Sequence, residues 1–299
     1  WRAPLRLVWK PRQLGIAGQV LVTPNIRQLR EGGAQMVNRE AMFGIKAQRH
    51  LGEGAEFESL ADFRKGMDRR AIDWKQSARH TRLTAKEYRT ERNNNVVMAL
   101  DAGRAMCEPV EGVPRIDRAV SAALLTAFVA LRDGDRVGLF GFDSQPRAVS
   151  QPISGPRAFS MLQRVAAGID YSASETNYTL ALATLTAELQ RRSLIVVFTE
   201  FTDTINAELM LSAVGTLLKR HLVLFVVLRD EELESFAGVE PVEPDDVSRA
   251  VTAAALLRER RLVIMRLRHL GVHVVEAAGA EAGPALVNAY LDLKRRSLL

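Results

Sequence analysis

Asp101, Asp143 and Glu200 each fall just after a short apolar run (Val96–Leu100, Val137–Phe142 and Leu194–Phe198), and Asp203 follows three residues after Glu200. Apolar β-prone runs ending in an acid read as buried strands that deliver carboxylates to the rim of a sheet. In open α/β sheets that rim is where ligands bind. Between these acids lies the polar stretch Ser174-Glu-Thr-Asn-Tyr-Thr179. Carboxylates and hydroxyls converging from neighbouring strand ends can hold Mg²⁺, which takes oxygen ligands in octahedral geometry. The same residues can instead accept backbone N–H bonds or cap the helices that follow. Spacing alone leaves both readings open.

The elements that would position these groups are legible from Val96 onward. Ile116, Val120, Ala123, Leu124, Ala127, Phe128 and Leu131 share one helical face. Strands are expected at Arg136–Phe142, Arg147–Ile153 (a hairpin arm), Leu194–Phe198, Leu222–Leu228 and Val272–Val275. Helices are expected at Pro156–Ala167, Thr179–Gln190 and Ala207–Leu218, in a long stretch after Pro244 up to Leu270, and from Ala282 to Arg296. Apolar strands separated by amphipathic helices predict a doubly wound, mostly parallel α/β sheet of Rossmann type over 96–299. Residues 1–95 read as an irregular β-rich segment. It has strands near Leu5–Trp9 and Val20–Pro24, a helix at Asn25–Asn38 weakened by Gly32 and Gly33, and an extended edge at Leu83–Arg89.

Composition narrows the function classes. In 299 residues, 47% are apolar and 25% charged, as in globular domains. The single Cys107 excludes an internal disulfide framework. The apolar run Ala119–Leu131 is too short for the ~20 residues of a spanning helix. No Gly-x-x-x-x-Gly-Lys-Ser/Thr, Gly-x-Gly-x-x-Gly after the first regular strand, or Gly-x-Ser-x-Gly is present. P-loop hydrolysis and a dinucleotide cofactor are therefore not expected. His50, His80, His221, His269 and His273 lack ligand spacing. A metal-dependent phosphodiesterase or nuclease would use the clustered carboxylates and the net charge of +6, but it needs a better-liganded metal and a base. A basic nucleic-acid binder would want more stacking groups than 6% aromatic residues supply.

Asp101-Ala-Gly-Arg-Ala-Met106, Thr176-Asn177 and Phe198-Thr-Glu-Phe201 resemble the three loops of von Willebrand factor A-like domains. Those loops bind a divalent cation through Asp-x-Ser-x-Ser, a Thr and an Asp. The resemblance places Asp101, Thr176 and Glu200 as metal positions. Gly103 and Ala105 stand for the two serines and Glu200 for the second Asp, so a degenerate site is implied, with Mg²⁺ its only candidate cofactor. The contact surface implied for a protein ligand is Asp101, Gly103, Arg104, Thr176, Asn177, Glu200 and Asp203.

Upstream, Gly52-Glu-Gly-Ala-Glu-Phe57, Leu60–Asp68, Arg70-Ala-Ile-Asp-Trp-Lys75, Ser77-Ala-Arg79 and Lys86-Glu-Tyr88 with Glu91 resemble the signature of the bacterial family called domain of unknown function 58. Gly66-Met67-Asp68 interrupts its usual Gly-Asp. This resemblance implies a non-enzymatic interaction module, partner of a MoxR-type AAA+ ATPase acting on a protein client, with no nucleic acid. It also implies a tether on the cytoplasmic side of the membrane through a hydrophobic segment that would precede Trp1. The interleaved Arg64, Arg69, Arg70, Arg79, Arg82, Arg89 and Arg92 with Asp62, Asp68, Asp73, Glu87 and Glu91 read as a partly buried ion-pair network anchored by Trp74. The alternative is an arginine-lined groove for an acidic peptide or phosphate.

Overall fold

The computed structural model describes residues 51–63, 69, 72–80, 82–89, 93–201, 204–238, 243–296 and 298–299. The strands and helix expected before residue 39 lie outside them. The described part opens with β1 (Leu51–Asp62), α1 (Trp74–His80) and β2 (Thr84–Arg89), the two strands pairing antiparallel. Asp73 caps α1, its Oδ1 accepting from the N–H groups of Lys75 and Gln76 at 3.1 Å each.

Two expectations for this segment need correction. Trp74 is 69% exposed, so its ring is not buried as expected. Arg82 and Asp62 do pair, at 3.4 Å, but with side chains 67% and 60% exposed. Arg69 and Arg79 are exposed as well, so the arginines whose side chains are described lie on a solvated surface. Trp74 stands at the first residue of a seven-residue helix, with its ring turned outward from the described residues. The side chains of Arg64, Arg70, Arg89, Arg92, Asp68, Glu87 and Glu91 lie outside the described set.

The rest is one six-stranded sheet flanked by helices. In chain order come β3 (Asn95–Asp101), α2 (Arg104–Cys107), the small hairpin β4 (Pro109–Val110) and β5 (Val113–Pro114), α3 (Arg115–Arg132), β6 (Arg136–Phe142), β7 (Pro146–Ile153), α4 (Ala158–Ala166) and α5 (Tyr178–Glu188). There follow β8 (Ser193–Phe198), α6 (Thr204–Leu217), β9 (Leu222–Leu228), α7 (Glu231–Gly238), α8 (Pro244–His269), β10 (His273–Ala277) and α9 (Ala282–Arg295). The strand order is β10-β9-β8-β3-β6-β7. Every pairing is parallel except β6 with β7, the hairpin arm. The expected mostly parallel α/β sheet is the fold, and most elements lie within a few residues of their expected bounds.

Strand side chains alternate between two apolar layers, as period-2 geometry requires. Val96, Met98 and Leu100 of β3 face the layer containing Ala123, Leu124, Ala127, Leu286 and Tyr290 of α3 and α9. Val97 and Ala99 face Leu182, Met210, Val214, Ile264 and Leu267 of α5, α6 and α8. Because β3 is buried on both faces, it reads as a continuous apolar run. From β3 the chain turns first to β6 on one side and later to β8 on the other. The switch point of the sheet therefore lies between the C-terminal ends of β3 and β8, where Asp101 and Glu200 sit.

His221, entering β9, is 4% exposed, and among the described residues neither ring nitrogen finds a hydrogen-bond partner. Burial first, and then Arg220, hold its imidazole below the ordinary range. The unfolded chain therefore binds a proton here more readily than the folded one. The stabilisation is fully present above the unfolded value of about 6.5 and is lost as pH falls towards the folded one. Thermal melts between about pH 7 and pH 5 should show a shallower acid-side loss of stability for His221→Leu than for the parent chain; equal slopes would refute this.

Candidate functional site

Asp101 ends β3 with no solvent exposure, and its carboxylate is the hub of the rim. Oδ1 accepts from the Gly103 N–H at 2.9 Å and from the Thr176 hydroxyl at 2.7 Å. Oδ2 accepts from the Thr199 hydroxyl at 2.6 Å and from the Tyr178 hydroxyl at 3.3 Å. The Tyr178 and Thr199 hydroxyls are also 2.9 Å apart, and Tyr178 reaches the Glu200 carbonyl at 3.3 Å. Burial pushes the Asp101 carboxyl above the ordinary range, opposed by the bonds from Thr199, Thr176, Gly103 and Tyr178. Burial and then the Asp101 charge push the Tyr178 phenol well above its ordinary value.

The loop that delivers Thr176 is fixed at several points. The Arg104 N–H donates to the Ser174 carbonyl at 3.0 Å, and the Asn177 N–H donates to the Asp143 carbonyl at 2.9 Å. Asn177 caps α5, accepting from the Leu180 N–H at 3.1 Å. Asp143 is buried, and Arg147 contacts its two carboxylate oxygens at 3.0 and 2.9 Å. Although desolvation pulls its carboxyl upward, bonds from the Gln145 N–H, Ser172 and Arg147 leave it below the ordinary range. Asp143 thus braces the loop.

Gly103 makes the arrangement possible. A Cβ there would lie 2.1 Å from Thr176 Oγ1, 3.1 Å from Asp101 Oδ1 and 3.2 Å from the Ser174 carbonyl. The threonine hydroxyl occupies the space that a side chain at 103 would need.

Glu200 belongs to a different set of partners. It is 6% exposed, and its Oε1 accepts from the Phe201 N–H at 3.1 Å. Its Oε2 lies 3.3 Å from Arg260 and 3.6 Å from Arg115. Arg115 also pairs with Asp230 at 2.6 Å and with Glu108 at 3.5 Å. Burial raises the Glu200 carboxyl, while Arg260 and Arg115 draw it back down. Arg115 stands at the first residue of α3, the positive end of the helix dipole, where a buried cation is unfavourable. Glu200 and Asp230 offset that cost and join α3 and α8 to the ends of β8 and β9.

Of the expected metal positions, Asp101 and Thr176 are brought together, the Thr176 hydroxyl donating to Asp101 Oδ1 at 2.7 Å. Glu200 faces two guanidinium groups. Among the described residues, no cluster of three or more His, Cys, Asp or Glu could hold a metal ion. The donor set does not fit an octahedral oxygen shell. Of the expected contact surface, Asp101, Gly103 and Glu200 are buried, Thr176 is half-buried, and Arg104 and Asn177 are exposed. Asp203 lies outside the described residues. Arg104 pairs with Glu175 at 2.5 Å on the surface. The depression beside them, lined by Ala105, Glu175, Thr176, Tyr178, Glu200, Phe201, Asn206 and Ala207, encloses about 10 Å³, roughly the room of one water.

Sequence reasoning missed the parts played by Tyr178, Thr199, Arg115, Asp230 and Arg260. Tyr178 and Thr199 are sequence neighbours of expected positions, so polar residues flanking a candidate ligand at a strand end were the available signal. Arg115, Asp230 and Arg260 come from separate elements and meet only through the fold.

The family described as Protein of unknown function DUF58 matches residues 59–263. No curated protein matches the chain in sequence. Among solved structures, the chain is similar to the conserved hypothetical protein BatB from Bacteroides thetaiotaomicron, at 16% identity and a TM-score of 0.40 over 68% of this chain and 99% of that one. It is similar to an aerotolerance-related membrane protein from Bacteroides fragilis NCTC 9343, at 17% identity and a TM-score of 0.40 over 66% and 97%. The vWF domain of the type V pili tip protein Mfa5 from Porphyromonas gingivalis gives 15% identity and a TM-score of 0.30 over 36% and 37%. These likenesses are too loose to add to the fold read from the strand order.

Gly103→Ala should destabilise the chain by about 1–3 kcal/mol through overpacking against Thr176. In chemical denaturation, adding Thr176→Ala should recover part of that loss, a coupling between the two positions. Strictly additive losses would show that the close approach is not what fixes residue 103.

Proposed function

The chain belongs to the DUF58 family, and from that membership we propose that it is a non-enzymatic protein-interaction module, the adaptor of a MoxR-type AAA+ ATPase acting on a protein client. The observation that carries this reading is the Asp101 carboxylate, whose two oxygens each accept two bonds from the protein itself. A group so occupied is poorly placed to act as nucleophile, general base or metal ligand. What it supplies is rigidity, holding the Ser174–Tyr178 loop against the ends of β3 and β8.

On this reading the site is a degenerate form of the cation-binding rim, with Gly103 and Ala105 in place of two hydroxyl ligands and Glu200 turned to Arg115 and Arg260. Its exposed margin, Arg104, Glu175 and Asn177, forms the contact surface, mixed in charge and prepared without reorganisation. Among the described residues no helix is long and apolar enough to cross a membrane. The cytoplasmic-side tether is part of the same proposal and lies outside those residues.

Arg104→Glu and Glu175→Arg reverse the exposed charges of this margin without removing a side chain that bonds Asp101 or caps α5. In a pull-down with the MoxR-type ATPase of the same genome, held with a slowly hydrolysed ATP analogue, the parent chain should retain the ATPase. The double variant should bind at least about tenfold more weakly, the scale of an interface hot spot. Equal retention would remove the rim from the interface, and no retention by the parent would remove the partnership.

A further inference from the structure

At the pole of the sheet opposite the rim, exposed cations gather. Register sets Arg136, which opens β6, level with Asn95 and Ser193, and it sets Leu222 level with Leu194. Arg191 and Arg192 immediately precede β8, Lys219 and Arg220 precede β9, and Arg132 ends α3. These six residues therefore meet at the amino ends of the neighbouring strands β6-β3-β8-β9, an array about 14 Å across at the usual strand spacing. All six are exposed.

The acids of this pole are engaged with other groups. Asp133 and Asp135 hold Lys294, Asp292 holds Arg296, and Glu188 accepts from Gln151. Among the described residues, none of the six cations forms an ion pair. Arg136 donates to the Pro152 carbonyl at 3.2 and 2.9 Å, and Arg192 donates to the Leu298 carbonyl at 3.1 Å. Those carbonyls fix the guanidinium groups and leave their charge intact. On the rim half the sign reverses, with exposed Glu231 and Glu232 in the first turn of α7 and Asp245 in that of α8. Charges of these signs complement the helix dipoles, and summed over the domain they make a field positive at one pole and negative at the other.

The shape of the array selects its ligand. The hollow among Asn94, Asn95, Arg192 and Leu222 encloses only about 20 Å³, so the cations stand on a level face and line no groove. Single-stranded nucleic acid is held in a groove with aromatic platforms, and the exposed aromatic side chains of the sheet domain lie on the rim half. Tyr171 bonds Asp117 in the first turn of α3, and Phe236 belongs to α7. Leu270, 45% exposed in the turn between α8 and β10, stands at the cationic pole and offers an apolar contact beside the charges. A level face of unpaired cations matches the spread negative charge of a bilayer surface.

We propose that this pole docks on an anionic lipid surface, with Arg132, Arg136, Arg191, Arg192, Lys219 and Arg220 against the headgroups and the rim turned away from the bilayer. The proposal stands on the charge distribution, and it holds whether or not the rim engages an ATPase.

Cosedimentation of the full chain with vesicles tests it, using phosphatidylcholine alone or mixed with phosphatidylglycerol. The chain should bind the mixed vesicles only, and less as salt is raised. A variant carrying Arg191→Glu, Lys219→Glu and Arg220→Glu should bind them more weakly by about fivefold for each residue changed, with an unchanged far-UV circular dichroism spectrum. A charge-matched variant on the flank of the domain, Arg249→Glu with Arg258→Glu and Arg261→Glu, should lose far less. Absence of binding to the mixed vesicles, equal binding to phosphatidylcholine alone, or equal loss in the two variants would overturn the proposal. So would binding of single-stranded DNA through these cations by a chain that ignores the vesicles.

Discussion

A buried carboxylate must find hydrogen-bond donors or lose its charge, and at Asp101 the whole rim is organised around that demand. Four donors reach it from three parts of the chain: Gly103 after β3, Thr176 and Tyr178 at the entry to α5, and Thr199 after β8. Strands from the two sides of the switch point are tied through one side chain. Gly103 is the steric condition for this closure, because only a residue without Cβ lets Thr176 approach.

Beside this hub stands a second buried polar group, with Glu200 and Asp230 holding Arg115 and Arg260. Charged groups this deep contribute little net stability, but removing one partner strands the others. Their role is positional: they fix α3 and α8 at the ends of β8 and β9. The rim is consequently stiff in its centre and polar at its margin, a combination suited to recognition by a partner.

The sheet was legible in the sequence because its central strands are buried on both faces and the helices beside them have apolar sides. Val96–Leu100 and Leu222–Leu228 needed no context to be recognised. The site was legible only as positions. Asp101 and Thr176 meet as their types and loops imply, but the direction taken by Glu200 depends on Arg115 and Arg260, 85 and 60 residues away in the chain. No local pattern records such a pairing. Trp74 failed for a related reason, since no local pattern says which way a ring at the first turn of a short helix points.

The account rests on the rim being satisfied by the protein's own groups, and a titration of thermal stability with Mg²⁺ and Mn²⁺ tests this most directly. A ligand that binds only the folded state raises stability in proportion to the logarithm of its concentration above Kd. The account predicts no saturable rise in Tm with either cation, and no difference between the parent chain and Asp101→Asn in their response. A saturable rise that Asp101→Asn abolishes would show that Asp101 serves a metal, and would contradict the account.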